Sequence, residues 1–248
     1  MDYPYLKERS KLILGHLSKL PSEFSRRQFV ITASAIAVFL PLGLWPYRLA
    51  GAVAAYADTI SALKKGVVAE TTAHRRYVLF GRLAKKDGYK GLAYLYTALA
   101  TSELIHAQNY NRVLATLGEL PVEPEAEEMP IGTAKENLIY AAEREVNSIE
   151  NTYPDLLRLV EAEGHADAIS AVRYSWASHK QHRDIIKKIR RWSPSHFETV
   201  ARKIDKSTDR YYICRICGST VTETPEDACP VCKEPPGYYR LISPNRFL

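Results

Sequence analysis

The sequence predicts a mainly α protein in which a four-helix bundle is followed by a small metal-knuckle unit. Three observations support this. Apolar residues recur with a 3.6-residue period across residues 58–192, the inward stripe of every predicted helix is interrupted by carboxylate or imidazole, and all four cysteines of the 248-residue chain fall in one C-terminal stretch. An apolar stripe of that period is the buried face of a helix. Residues 58–192 also hold few internal glycines and no alternating runs of the kind that form half-buried strands.

The chain opens on a leader. Ser25-Arg26-Arg27-Gln28-Phe29-Val30 precedes an apolar run from Ile31 to Trp45, and Ala55-Tyr56-Ala57 follows. Paired arginines, a short apolar core and an A-x-A site read as a twin-arginine export signal over residues 1–57, cleaved after Ala57. The run is 15 residues long and contains Pro41 and Gly43, short of the ~20 apolar residues a spanning helix needs. An uncleaved N-terminal anchor is the second reading, and a mere end to an amphipathic helix at Arg26-Arg27 the third. Export to the periplasm or cell surface is the expected localisation, with membrane attachment only if the leader is retained. Residues 1–57 hold seven Lys/Arg against three Asp/Glu, so the formal +6 of the whole chain becomes 27 against 25 after cleavage. No Lys/Arg cluster with interleaved aromatics is present, which argues against nucleic-acid binding.

The bundle is expected over residues 58–192. Asp58 can cap a first helix to Lys86, stopped by Asp87-Gly88, and a second runs from Lys90 to Leu117, ending at Gly118. Glu119 to Pro130, with three prolines and five glutamates, reads as a crossover. Thr133 can cap a third helix to Glu163, broken by Gly164, and a fourth reaches Trp192 before Ser193-Pro194. Four long helices with two tight turns and one longer crossover are the proportions of a ferritin-like bundle.

Along the first seam, Ile60, Leu63 and Val67 lead onto Glu70, His74 and Tyr77. On the second, Leu92, Leu95 and Leu99 are continued by Glu103 and His106 before Tyr110, Val113 and Leu117. On the third, Leu138 and Ala142 precede Glu145, and Leu156 and Leu159 follow; the fourth runs Ala168, Val172, Ser175, His179, His182, Ile186, Ile189. An unpaired buried carboxylate costs several kcal/mol, so such groups stay inside a bundle only when paired or metal-bound. Glu103-x-x-His106 and His179-x-x-His182 each put two ligands one turn apart on one face. A Glu/His hydrogen-bond network without metal is the competing reading. Glu143 and Glu150 fall on other faces, where solvent is the expected partner.

A linker over 193–209 leads to the four-cysteine unit, residues 210–248. Cys214-Arg-Ile-Cys217 and Cys229-Pro-Val-Cys232, eleven residues apart, can place four thiolates around one Zn or Fe. So short a segment needs a metal or disulfides to fold, and two disulfides or a structural Zn ribbon are the alternatives. Spacing does not choose the metal. Tyr212-Ile-Cys214-Arg-Ile-Cys217-Gly218 and Cys229-Pro230-Val-Cys232 resemble the knuckles of rubredoxin, a resemblance that implies one mononuclear four-thiolate iron carrying single electrons.

Bundle and tail together resemble rubrerythrin. The run from Glu70 through His74, Tyr77 and Phe80 to Gly88-Tyr is similar to that family's first helix, and Glu103-Leu-Ile-His106-Ala107 to its second-helix ligand pair. Tyr153-Pro154, Glu161-Ala-Glu-Gly164 and His182 fit the third and fourth helices, so the resemblance covers residues 58–248. It implies that Glu70, Glu103, His106, Glu145, His179 and His182 hold a di-iron or other dinuclear metal centre. It further implies that Tyr77 and Tyr153 hydrogen-bond the carboxylates and that Cys214, Cys217, Cys229 and Cys232 hold the entry iron. The function it implies is reduction of hydrogen peroxide or activation of dioxygen, with a redox protein as donor and a homodimer that brings one subunit's thiolate iron to another's bundle.

Two departures stand out. The family's third helix carries Glu-x-x-Glu where this chain has Glu145 and Ser148, and its fourth carries Glu-x-x-His where this chain begins with His179. Three carboxylates against three imidazoles make a less anionic ligand set, which should favour the reduced divalent metal and can also accept Mn, Zn or a single ion. His74, one turn after Glu70, is a seventh candidate, read as an outer partner rather than a ligand. A protein that oxidises or sequesters Fe(II) without peroxide turnover, and a scaffold with a Zn ribbon and relict bundle, are the alternative functions.

Overall fold

The computed structural model describes residues 56–125, 129, 131–190, 199, 204 and 210–247. The leader up to residue 55, Trp192 and most of the 193–209 linker lie outside the described residues. Among the described residues the bundle helices are, in chain order, α1 (Ala57–Lys86), α2 (Lys90–Thr116), α3 (Ala134–Asn147), α4 (Tyr153–Glu163) and α5 (Ala166–Arg190). A π turn, Ser148–Thr152, joins α3 to α4 with helical backbone on both sides, so the two form one interrupted bundle helix.

That interruption has a local cause. Pro154 has no N–H, and the Tyr153 N–H reaches back to the Ser148 carbonyl, the five-residue step of a π turn. The Ile149 carbonyl then faces a proline and accepts instead from Trp176 Nε1 on α5, at 3.1 Å. The buried face nevertheless runs on through the turn, as Ala142, Glu145, Ile149, Tyr153, Leu156 and Val160. After Leu156 the seam takes the four-residue step, so Val160 is fully buried while Leu159, expected on the seam, is only half-buried.

Helix ends follow local chemistry with one correction. Thr133 closes a capping box with Glu136 at the start of α3, and Gly164 ends α4 with φ +71°. Asp58, expected as the cap of α1, instead lies in its first turn. The cap is Glu163 at the far end of α4, whose carboxylate accepts from Asp58 N at 3.1 Å and Thr59 N at 2.8 Å. Two antiparallel helix ends are thereby tied together, and the acidic group sits at a positive helix terminus.

Two apolar clusters fill the bundle. Ile60, Leu63, Val67, Val113, Leu156 and Val172 pack toward one end; Phe80, Leu92, Leu95, Leu99, Leu138 and Ile186 pack toward the other. The second continues into the tail through Tyr211, Ile213 and Ile242. The tail itself is a three-stranded antiparallel sheet, β1 (Tyr212–Cys214), β2 (Thr220–Val221) and β3 (Tyr239–Leu241), in the order β2-β1-β3. The central strand β1 and the edge strand β2 meet α2, and β2 also meets α5. Tyr94 on α2 donates to the Ile242 carbonyl at 2.9 Å and accepts from Tyr211 N at 3.2 Å, so the cysteine unit is seated on the bundle by shared core as well as by hydrogen bonds. No helix among the described residues is long and apolar enough to cross a membrane.

Candidate metal centres

Between the two apolar clusters lies a layer of buried Glu and His. Glu70 comes from α1, Glu103 and His106 from α2, Glu145 from α3, and His179 and His182 from α5. They form two overlapping groups: Glu70, Glu103, His106 and His179, and Glu103, Glu145, His179 and His182, with ligand atoms in each within 4.8 Å of one another. Glu103 and His179 belong to both. The His179 ring stands among all three carboxylates, its Nδ1 2.7 Å from Glu145 Oε2 and its Nε2 3.1 Å from Glu103 Oε2 and 3.4 Å from Glu70 Oε2.

The residues fit a cation. Glu103 Oε1 and His182 Nδ1 lie 3.3 Å apart and buried, yet neither has a hydrogen-bond partner. Buried polar atoms are rarely left so, and a metal between them satisfies both. The other carboxylate oxygens are held in place: Tyr77 donates to Glu145 Oε1 at 2.5 Å, and Tyr153 donates to Glu70 Oε1. Burial, reinforced by Glu145 and Glu70 respectively, pushes both phenols well above their ordinary pKa, so they stay protonated and donate.

Electrostatics within the layer are reciprocal. Burial would raise the Glu103 carboxyl, but charge on His179 and His182 holds it well below its ordinary value. Burial likewise opposes ionisation of Glu145, and His179 outweighs it, bringing Glu145 down to about 2. His182, against burial, is pushed up to about 9 by Glu103. The folded His182 value lies above its ordinary 6.5, so its contribution to the metal-free fold is complete below pH 6.5 and lost as pH rises through 9. The folded Glu145 value lies below 4.5, so its contribution is present above pH 4.5 and lost as pH falls through 2. The metal-free protein should therefore melt at a higher temperature near pH 6 than near pH 9, read by circular dichroism, and bound metal, which needs bare imidazole nitrogens, should move that optimum upward. Equal melting temperatures at the two pH values in the metal-free chain would contradict this electrostatic account.

In the tail, Cys214, Cys217, Cys229 and Cys232 converge, with Sγ atoms 3.7 Å apart for Cys214 and Cys232 and 3.5 Å for Cys217 and Cys229. None is disulfide-bonded. A hydrogen bond from Cys217 brings the Cys214 thiol down to about 5. That same bond and burial push Cys217 upward, and burial raises Cys232 to about 12. Thiols this close share protons, and a cation that replaces those protons can hold all four as thiolates.

The two groups face one another across one interface. Ser178, beside His179 in sequence, donates to the Cys217 carbonyl at 3.2 Å, and Asn109 on α2 donates to the Ile216 carbonyl at 2.8 Å. Thr220 N donates to Gln181 at 3.1 Å, and Thr220 Oγ1 lies 3.1 Å from His182 Nε2. Ser102, Asn109, Ser178, Gln181 and Thr220 carry no metal-ligand signature in the sequence, and nothing local marks them, whereas Gly218 closes the first cysteine knuckle. Of the other candidates, His74 is half-buried with Nδ1 2.7 Å from the Ala100 carbonyl and its ring edge-on to Phe247. It belongs to neither bundle group, and its partner is backbone rather than a site carboxylate. Ser148 lies in the π turn and is also outside both groups, while Glu143 and Glu150 are exposed.

The chain is similar to known proteins. The Rubrerythrin family model matches residues 61–190. Rubrerythrin-1 of Clostridium acetobutylicum is 28% identical over 192 residues, covering 75% of this chain and 95% of that protein. Nigerythrin of Nitratidesulfovibrio vulgaris is 25% identical, covering 73% and 85%. Among solved structures, fully reduced nigerythrin superposes with a TM-score of 0.62 at 24% identity, over 74% of this chain and 86% of that one. The family match takes in more than half of the chain, from the first bundle seam to the end of α5, and the protein belongs to the rubrerythrin family.

Proposed function

We propose that the protein is an exported non-haem iron oxidoreductase that reduces hydrogen peroxide, or activates dioxygen, with the four-cysteine unit as electron entry and the bundle layer as the reacting centre. One observation carries this reading: both ligand-rich groups abut a single interface, where Ser178, adjacent to His179, bonds the carbonyl of the metal-binding residue Cys217 at 3.2 Å. Iron bound by the cysteines and a dinuclear metal bound by the six bundle residues would supply the two electrons that, with two protons, convert hydrogen peroxide to two waters.

The chain's own residues do the rest. Glu70, Glu103 and Glu145 offer the negative charge, His106, His179 and His182 the nitrogen ligands, and all six are buried away from bulk water. Tyr77 and Tyr153 hold a proton on each phenol oxygen against Glu145 and Glu70, orienting those carboxylates and keeping a proton close to the centre. Export is supported by the paired arginines, the short apolar run and the Ala55-Tyr56-Ala57 site. A redox protein as donor and a homodimer complete the reading by family pattern, although the tail is already seated on a bundle within one chain.

Ser148 and His179 favour a second reading, in which the bundle oxidises or sequesters Fe(II) without sustained peroxide turnover. Metal analysis of anaerobically purified protein separates the two: about three metals per chain are expected, one at the thiolates and a pair in the bundle. Mixing the reduced protein with peroxide should return the ferric-thiolate absorption over repeated cycles. Fe(II) oxidation that stops after one stoichiometric round selects the second reading, and one equivalent of zinc with no bundle metal leaves a scaffold.

A further inference from the structure

Gly218 follows the first cysteine knuckle with φ +78°, and its backbone carbonyl receives two hydroxyl protons. Ser102 Oγ on α2 donates to it at 2.6 Å and Thr220 Oγ1 on β2 donates at 3.2 Å. A hydroxyl has a single hydrogen, and a carbonyl can only accept. When each hydrogen points to Gly218, each oxygen can offer its other neighbour only a lone pair. For Thr220 that neighbour is His182 Nε2 at 3.1 Å. For Ser102 it is His106 Nε2, at a longer 3.5 Å.

The consequence falls on the far side of each ring. In that arrangement Nε2 carries a hydrogen in both rings, and Nδ1 is the nitrogen that faces the carboxylates. His182 Nδ1 is 3.3 Å from Glu103 Oε1 with no partner, and His106 Nδ1 is 2.9 Å from Glu103 Oε2. Ser102, His106 and His182 are 0% exposed and Thr220 is 2% exposed, so bulk water does not reach these contacts. Gly218 can come this close because it lacks a side chain: a Cβ there would lie 2.4 Å from His106 Nε2.

We propose that Thr220, and more weakly Ser102, are positioning residues through which the Gly218 carbonyl of the cysteine unit fixes the ligating nitrogen of His182 and His106 and so sets the metal affinity of the bundle. The bundle is complete as a binding site only with the tail seated. This rests on the reading of the bundle as a metal centre, and goes beyond it by assigning part of that centre to the other unit.

Thr220→Val removes the hydroxyl at nearly constant shape, and Thr220→Ser keeps it. With iron at the cysteines, Co(II) is titrated into the bundle against a chelator. Outer partners of ligating histidines are worth about 10–100-fold in affinity, so Thr220→Val should bind Co(II) weaker by that factor and Thr220→Ser within about twofold of wild type. An unchanged ferric-thiolate spectrum in all three shows the cysteine site intact. Independently, with zinc at the cysteines and the bundle metal-free, NMR should show a slowly exchanging His182 Nε2–H proton in wild type and Thr220→Ser that is lost in Thr220→Val. Unchanged Co(II) affinity in Thr220→Val, or an unchanged Nε2–H signal, overturns the proposal. A wild-type bundle that takes up no Co(II) overturns the proposed function instead, and the Nε2–H signal alone then decides this one.

Discussion

Glu103→Ala should leave a protein whose ferric-thiolate spectrum is unchanged but whose bundle retains no metal and turns over no peroxide. Glu103 is the carboxylate common to both ligand groups. Its Oε2 faces His106 at 2.9 Å and His179 at 3.1 Å, and its Oε1 faces His182 at 3.3 Å. Losing an outer partner of a ligating histidine costs about 10–100-fold in affinity, so losing a ligand shared by both groups should exceed that. The metal-free fold also loses the anion that the three imidazoles face, and removing one partner of a buried pair costs about 3–5 kcal/mol. Glu103→Gln separates these effects, because it keeps the volume and one acceptor oxygen while removing the charge. Both variants are read by bundle metal content and peroxide consumption at constant ferric-thiolate absorption. Peroxide turnover that persists in either sinks the assignment of the bundle as the reacting centre.

Cys214→Ser should have the complementary effect, abolishing the ferric-thiolate band and donor-driven turnover while the helical circular dichroism stays. Cys214 is fully buried, is the last residue of β1, and its N–H bonds Ser219 O at 2.9 Å, so it ties the knuckle to the sheet. A structural four-ligand metal contributes about 10–16 kcal/mol to folding of units this small. Without it the tail should unseat, exposing Tyr211, Ile213 and Ile242, which now complete the bundle's second apolar cluster. Limited proteolysis or hydrogen exchange over residues 210–247 reads that exposure, and protection equal to wild type would show that the tail does not depend on its metal. If Thr220 positions His182, bundle metal should also loosen in this variant although no bundle ligand has changed.

The candidate site was legible in the sequence wherever its chemistry is repetitive. Glu103 and His106, or His179 and His182, are one turn apart on any helix, so their common face follows from spacing alone. The inward stripe, the cap at Thr133 and the glycine stop at Gly164 are likewise local rules, and the structure carries each of them. Legibility failed where a partner is distant in sequence. Glu163, not Asp58, caps α1 from more than a hundred positions away, because antiparallel packing brings the end of α4 beside the start of α1. On α4 Val160 rather than Leu159 follows Leu156 into the core, because steps of three and four residues both stay on one helix face and only packing decides between them.

Composition and spacing in this chain already specified a helical bundle lined with carboxylate and imidazole and a four-thiolate tail, because both depend on residues a few positions apart. Which nitrogen of His182 faces Glu103, and which unit holds it there, depends on Gly218 at the end of a cysteine knuckle and on Thr220, a residue of no distinctive type 38 positions from His182. That outcome comes from the seating of one unit on another: hydrogen-bond direction is settled by the count of protons available where two buried surfaces meet, and no local pattern encodes the meeting.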